Sequence, residues 1–314
     1  MTTTRTILLT GATSGLGLKA ARRLARDADI GLVVGARNPA AATDLRAAVP
    51  PERLAVFRLD TADRNSVADF CARVKALLGV DGRLDAIACN AGLQPMDPLR
   101  LSPDGHELTF ATNHLGHFAL VHRLLPTLAP GAAIVSTASG THDPRNRLAR
   151  MFGFRGGLFP DAATVAAGIV DRRASPVQQA KDRYATSKLC NILFAMEMAR
   201  RASPALARFV AFDPGLMPGT GLARERSAPE RFGWTYLLPA LRFVATGVST
   251  PERSGAALAR LLADRAVAPE TGMHVDFRLR RTAPSPDARR ADLAADLYDF
   301  SVRACGIDPV PRVV

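Results

Sequence analysis

Seven short runs in this chain are apolar along most of their length rather than at every second position: residues 6–10, 31–35, 54–59, 84–89, 132–136, 209–212 and 272–277. A strand with one wet face alternates, so a strand that is apolar on both faces must be covered on both. Between the runs lie stretches of helical periodicity at 16–27, 66–78, 108–128 and 184–201. Strand and helix in alternation predict a doubly wound α/β fold. Its parallel sheet has about seven strands, with helices on both faces and right-handed crossovers. The 314 residues show no linker, repeat or low-complexity tract, so one domain spanning 1–314 is expected. Two segments break the rhythm. Residues 141–182 are charged and carry Gly153, Gly156 and Gly157, which reads as an insertion, partly helical at most. Residues 214–251, with Phe232, Trp234 and Tyr236, read as a substrate lid. A closing amphipathic helix is expected over 287–305.

The net charge is +12, from 41 basic and 29 acidic residues. Only Lys19, Lys75, Lys181 and Lys188 are lysines. The arginines are scattered in pairs such as Arg22-Arg23 and Arg289-Arg290, with no basic stripe, which argues against nucleic acid as a partner. Cys71, Cys89, Cys190 and Cys305 are far apart and form no C-x-x-C, so reduced thiols in a cytoplasm are expected, with neither a disulfide frame nor a metal site. The first residues lead straight into a strand without a signal-peptide pattern. No run reaches the length a membrane-spanning helix needs; the apolar segment 232–248 is interrupted by Pro239 and Arg242. It is expected to act as a lid, with peripheral contact to an anionic membrane as the alternative.

Directly after the first run comes Thr10-Gly11-Ala12-Thr13-Ser14-Gly15-Leu16-Gly17, and then a helical pattern. A glycine-rich turn between strand and helix lets the backbone approach a pyrophosphate, and the helix start offers unpaired N–H groups. An acidic residue at the end of the second strand would bind the ribose of NAD(H). This chain has Gly35-Ala36-Arg37-Asn38 instead. The Arg37 guanidinium can pair with a 2′-phosphate, which points to NADP(H) over NAD(H). Further on, Tyr184 and Lys188 stand four residues apart, on one face of a helix. A positive charge beside a phenol favours phenolate, so Lys188 is expected to lower the Tyr184 pKa and ready it for proton transfer.

The glycine turn, Asn90-Ala91-Gly92, Asn113, Ser139, Tyr184 with Lys188, and Pro214-Gly215 follow one another in that order. Together they resemble the short-chain dehydrogenase/reductase family over nearly the whole chain. The runs Thr112-Asn113-His114-Leu115-Gly116-His117-Phe118 and Tyr184-Ala185-Thr186-Ser187-Lys188-Leu189-Cys190-Asn191 are similar to the branch containing retinol dehydrogenases and light-dependent protochlorophyllide reductases. The resemblance implies a Rossmann-type fold with Thr10, Gly11, Ser14, Gly15, Leu16 and Gly17 around the cofactor phosphates. It places Asp60 and Thr61 at the adenine, and Asn90, Ala91 and Gly92 along the adenosine ribose. Pro214 and Gly215 would lie near the nicotinamide, and Thr220 at its carboxamide.

The same resemblance makes Asn113, Ser139, Tyr184 and Lys188 the catalytic set. Tyr184 would exchange a proton with the substrate oxygen and Ser139 would hydrogen-bond that oxygen. Lys188 would hold the nicotinamide ribose, and Asn113 would position water for a relay. Ser139 is preferred to Ser136 because the family pattern places its second serine there. The implied activity is hydride transfer between NADP(H) and the carbonyl or alcohol carbon of an apolar or polycyclic small molecule. Phe152, Phe154, Phe159, Trp234 and Tyr236 are candidates to line its pocket. Double-bond reduction of the protochlorophyllide reductase type is the alternative. Leu216 departs from it, where those enzymes carry Cys, and so does Gly92, where they carry a second Ala. A non-catalytic NADP sensor is a third reading, which retention of the Asn-Ser-Tyr-Lys set opposes. The pair His114/His117 reads as a helix feature, not a metal site.

Overall fold

The computed structural model describes residues 3–95, 99–217, 247–267 and 269–312. All seven apolar runs are strands: β1 Arg5–Thr10, β2 Ile30–Ala36, β3 Leu54–Arg58, β4 Leu84–Cys89, β5 Leu128–Thr137, β6 Ala207–Asp213 and β7 Met273–Asp276. They pair in parallel throughout, in the order β3-β2-β1-β4-β5-β6-β7. The fifth strand is longer than its apolar run because it passes through Pro130 and Gly131 with a register shift between its first and second pairing to β4.

The continuous apolar runs are explained by two cores. Leu8 and Val33 face one side of the sheet, where they meet α2 Arg64–Leu78, α3 Gly116–Leu124, α4 Pro176–Arg201 and α6 Ala291–Cys305. Their neighbours Ile7, Leu9, Leu32 and Val34 face the other side, under α1 Gly15–Leu24 and α5 Pro251–Ala263. Each buried leucine or valine of this kind contributes about 1.5–3 kcal/mol. Chain order reverses between β1 and β4. This is the topological switch point, at whose carboxyl ends doubly wound sheets bind ligands.

One expected segment boundary is corrected. Residues 141–182 hold two short helices, Arg147–Met151 and Ala162–Ala166, and the end of the segment already belongs to α4. That helix begins at Pro176, not Tyr184, because Ser175 caps it, its hydroxyl accepting from the Gln178 N–H at 3.2 Å, and Pro176 fits the first turn. Phe159 is buried in the main core rather than placed at a pocket wall. Of the expected lid, Leu216 bridges to Val248 and α5 follows. Thr220, Phe232, Trp234 and Tyr236 lie outside the described residues.

Candidate active site

The turn after β1 is shaped by its glycines. Gly11 and Gly15 have φ of 65° and 53°, a region that side-chain-bearing residues avoid. A Cβ on Gly17 would stand 2.4 Å from the Gly11 carbonyl oxygen and 2.6 Å from Asn90 Nδ2; one on Gly15 would meet nothing within 4 Å. Gly15 thus faces open space at the start of α1. Ser14, the N-cap, makes no side-chain cap bond, and the first turn carries no acidic residue. An open cradle at the positive end of a helix suits a pyrophosphate, so these residues fit a dinucleotide.

One network joins the turn to the rest of the site. The Thr10 hydroxyl accepts from the Asn90 and Ala91 N–H groups, both at 2.9 Å. His117 Nδ1 lies 3.1 Å from the Asn113 carbonyl, which only accepts, so this nitrogen carries the proton. Its Nε2 then accepts from the Thr10 hydroxyl at 2.9 Å. His114 turns the other way and meets Ser301 of α6 at 3.2 Å. The pair is thus divided between a cofactor-side and a core-side contact. Asp60 caps its own turn by accepting from the Ala62 N–H, and Thr61 is buried beside Gly116. Arg37 is exposed just beyond β2.

The four expected catalytic residues converge. The Ser139 side chain faces the Tyr184 hydroxyl closely enough to lower its pKa. Ser139 caps the one-turn 3₁₀ segment Gly140–His142, its hydroxyl oxygen accepting from the Thr141 N–H. Ser136 instead sits inside β5, beside Cys89. Lys188 donates to the Thr137 carbonyl at 3.0 Å, and Asn191 donates to the same oxygen at 2.9 Å. Asn113 lies in a π-helical stretch, Ala111–Leu115, just ahead of α3. Its side chain bridges Leu93, through both backbone groups, and the Ser187 hydroxyl at 2.9 Å. Phe154 closes over Tyr184, with ring centroids 6.0 Å apart.

The direction of the Tyr184 shift is opposite to the expectation. Burial pushes its pKa well up, the Ser139 side chain opposes this, and the Asp213 carboxylate adds to the rise. Lys188 lies 5.6 Å from the Tyr184 ring centroid, with its ammonium turned to a backbone carbonyl. Burial lowers Lys188 to about 8, against the pull of Asp213. Asp213, at the end of β6, was not singled out from the sequence. Its position directly before Pro214-Gly215, at a strand's carboxyl end, was the available signal. His142 was also missed, and His117 was read only as a helix feature, because nothing local marks a histidine as a backbone clamp. The four cysteines are buried and free; burial raises Cys71, Cys89 and Cys305 to about 12, which fits packing thiols.

A family model described as short chain dehydrogenase matches residues 5–149. Protochlorophyllide reductase A of Hordeum vulgare, a chloroplastic protein, is 31% identical over 278 residues, covering 82% of this chain and 68% of that protein. Retinol dehydrogenase 13 of Homo sapiens is 27% identical over 326 residues, covering 98% and 88%. A solved structure of an uncharacterized protein from Mycobacterium paratuberculosis superposes with a TM-score of 0.69 at 26% identity, covering 98% and 96%. The chain spans about two thirds of the length of the protochlorophyllide reductases it matches. It belongs to the short-chain dehydrogenase family, oxidoreductases whose fold binds a nicotinamide cofactor.

Proposed function

We propose that this chain is an NADP(H)-dependent reductase acting on the carbonyl of an apolar or polycyclic small molecule. The observation that carries the proposal is the convergence of Ser139 on the buried Tyr184 hydroxyl beside the Phe154 ring, with Lys188 buried next to it. When bound, the nicotinamide supplies the hydride. Tyr184, kept protonated by burial, donates a proton to the substrate oxygen. Ser139 hydrogen-bonds that oxygen and stabilises the charge that develops on it. Lys188, fixed through the Thr137 carbonyl, reaches toward the nicotinamide ribose, and Asn113 holds Leu93 and Ser187 in place around it. A phenol held protonated fits the reductive direction. Arg37 is the group for a 2′-phosphate, Asp60 and Thr61 serve the adenine end, and Asn90, Ala91 and Gly92 the adenosine ribose. Pro214, Gly215 and Thr220 serve the nicotinamide. A cytoplasmic location is part of the same proposal.

The test is NADPH oxidation against a panel of ketones and aldehydes, in darkness and under illumination. Turnover in darkness supports carbonyl reduction. Turnover that needs light and a tetrapyrrole would favour the second reading, double-bond reduction, which the 31% identity to the barley protein keeps in play. Arg37→Ala should weaken NADPH binding by about 1.5–3 kcal/mol, the range for bonds to charged groups, and leave NADH binding unchanged. Equal wild-type affinity for the two cofactors would refute the assignment of Arg37.

A further inference from the structure

His142 ends the 3₁₀ segment that Ser139 begins, and it is buried. Its Nδ1 lies 2.7 Å from the Ser139 carbonyl oxygen, and its Nε2 lies 3.1 Å from the Ser285 backbone nitrogen. The second contact fixes the tautomer. An amide N–H can only donate, so Nε2 presents its lone pair and the proton sits on Nδ1, where it is donated to Ser139. Ser285 belongs to the segment entering α6. That segment is held again by Arg145, which donates to the Pro284 carbonyl at 3.1 Å, and by the Ser285 hydroxyl, which accepts from the Ala288 N–H. The His142 carbonyl in turn accepts from the Gly157 N–H at 2.9 Å. One residue therefore joins the serine turn, the C-terminal segment and the 141–182 insertion.

We propose that His142 is a positioning residue for Ser139, its two ring nitrogens locking the serine turn to the segment entering α6 and so aiming the Ser139 hydroxyl at Tyr184. The inference rests on the reading of Ser139 given above. Four charged or titratable groups face the ring: Asp213 from β6, His274 from β7 with its ring 5.4 Å away edge-on, and Asp143 and Arg145 from the same loop. Burial lowers the His142 pKa. The Ser139 carbonyl and the two carboxylates pull it back up, and Arg145 adds to the lowering. A proton forced onto Nε2 would set two donors against each other at Ser285 and open the lock.

The experiment is a set of single variants, a double-mutant cycle and a spectroscopic reading of the ring. His142→Asn keeps a donor near the Nδ1 position and loses the acceptor for Ser285. His142→Gln does the reverse, and His142→Phe loses both. For a misaimed group, His142→Phe should lower kcat by about 10- to 100-fold with the NADPH dissociation constant unchanged. His142→Asn should recover most of that loss, and His142→Gln should not. On a Ser139→Ala background the His142→Phe effect should disappear, since the ring acts through Ser139. Full kcat in His142→Phe, or an undiminished loss on that background, would overturn the proposal. Nitrogen-15 NMR of the wild-type ring should show the neutral Nδ1–H tautomer, with any protonation below the ordinary histidine pKa of about 6.5. An Nε2–H tautomer, or titration at the ordinary value, would overturn it without reference to turnover. If no carbonyl is reduced by the wild type, the proposed activity fails, and the NMR reading still decides whether the lock exists.

Discussion

At the scale of single residues, burial dominates the electrostatics of the site and one carboxylate modulates it. Asp213 faces both Tyr184 and Lys188, and it raises the pKa of each. Tyr184→Phe removes the proton donor and keeps the ring against Phe154. Turnover should fall by about 10²–10⁴-fold while NADPH binding and folding survive. Near-normal turnover of that variant would show the pair has been misread. Asp213→Asn removes a negative charge beside the phenol, so phenolate becomes easier to form and the Tyr184 pKa falls. The reductive rate requires the protonated phenol. Its alkaline limb should therefore move to lower pH, and alcohol oxidation should begin at lower pH than in the wild type. The measurement is kcat against pH in both directions, with Asp213→Glu as the variant expected to restore the wild-type limb. An unmoved limb in Asp213→Asn would remove the carboxylate from the account.

At the scale of elements, the glycine turn separates two roles that look alike in sequence. Gly17 has no room for a Cβ, with the Gly11 carbonyl 2.4 Å away, so Gly17→Ala must displace backbone and should cost about 1–3 kcal/mol of stability. Gly15 has the room but a φ of 53°, so Gly15→Ala should cost about 1–2 kcal/mol, and its methyl would stand where the pyrophosphate approaches. Denaturant melts and NADPH titration read the two together. NADPH affinity lost in proportion to stability at both positions would deny Gly15 its separate role. The strands were legible because burial on both faces leaves continuous apolar runs, and the turn because strand, glycines and helix are contiguous. The start of α4 was legible in principle from Ser175-Pro176, yet the charged insertion around it drew the boundary to Tyr184. The π-helical stretch at Ala111–Leu115 leaves no trace in composition, since it depends on what the helix packs against. The Tyr184 shift was not legible either. Spacing along one helix shows Lys188, while Asp213 arrives from another strand and burial comes from the whole fold.

At the scale of the molecule, the histidines buried around α3 make stability sensitive to acid. Burial lowers His114 to about 3; the nearby His117 and His122 push it the same way. Burial likewise lowers His117 and His122 to about 4, against the help of their backbone carbonyl partners. His122 also stacks on Phe118, with ring centroids 4.0 Å apart, and lies 3.2 Å from the Tyr298 hydroxyl, so it is fixed in its neutral form. The unfolded chain takes up protons on these rings near pH 6.5 and the folded chain does not until about pH 4 or below. The unfolded state therefore binds more protons in that window, and stability must fall as pH drops through it. At pH 5 each ring accounts for a loss of about 2 kcal/mol, and three together for about 6, a large share of the 5–15 kcal/mol typical of a domain. Glu107 runs the other way, since burial raises its pKa, but it is one group against three. Between pH 7 and pH 5 the midpoint of thermal unfolding should fall by roughly 10 °C. Calorimetry at constant ionic strength measures it directly. A midpoint unchanged over that window would mean that the α3 histidines are protonated in the folded chain, which their backbone and aromatic contacts do not allow.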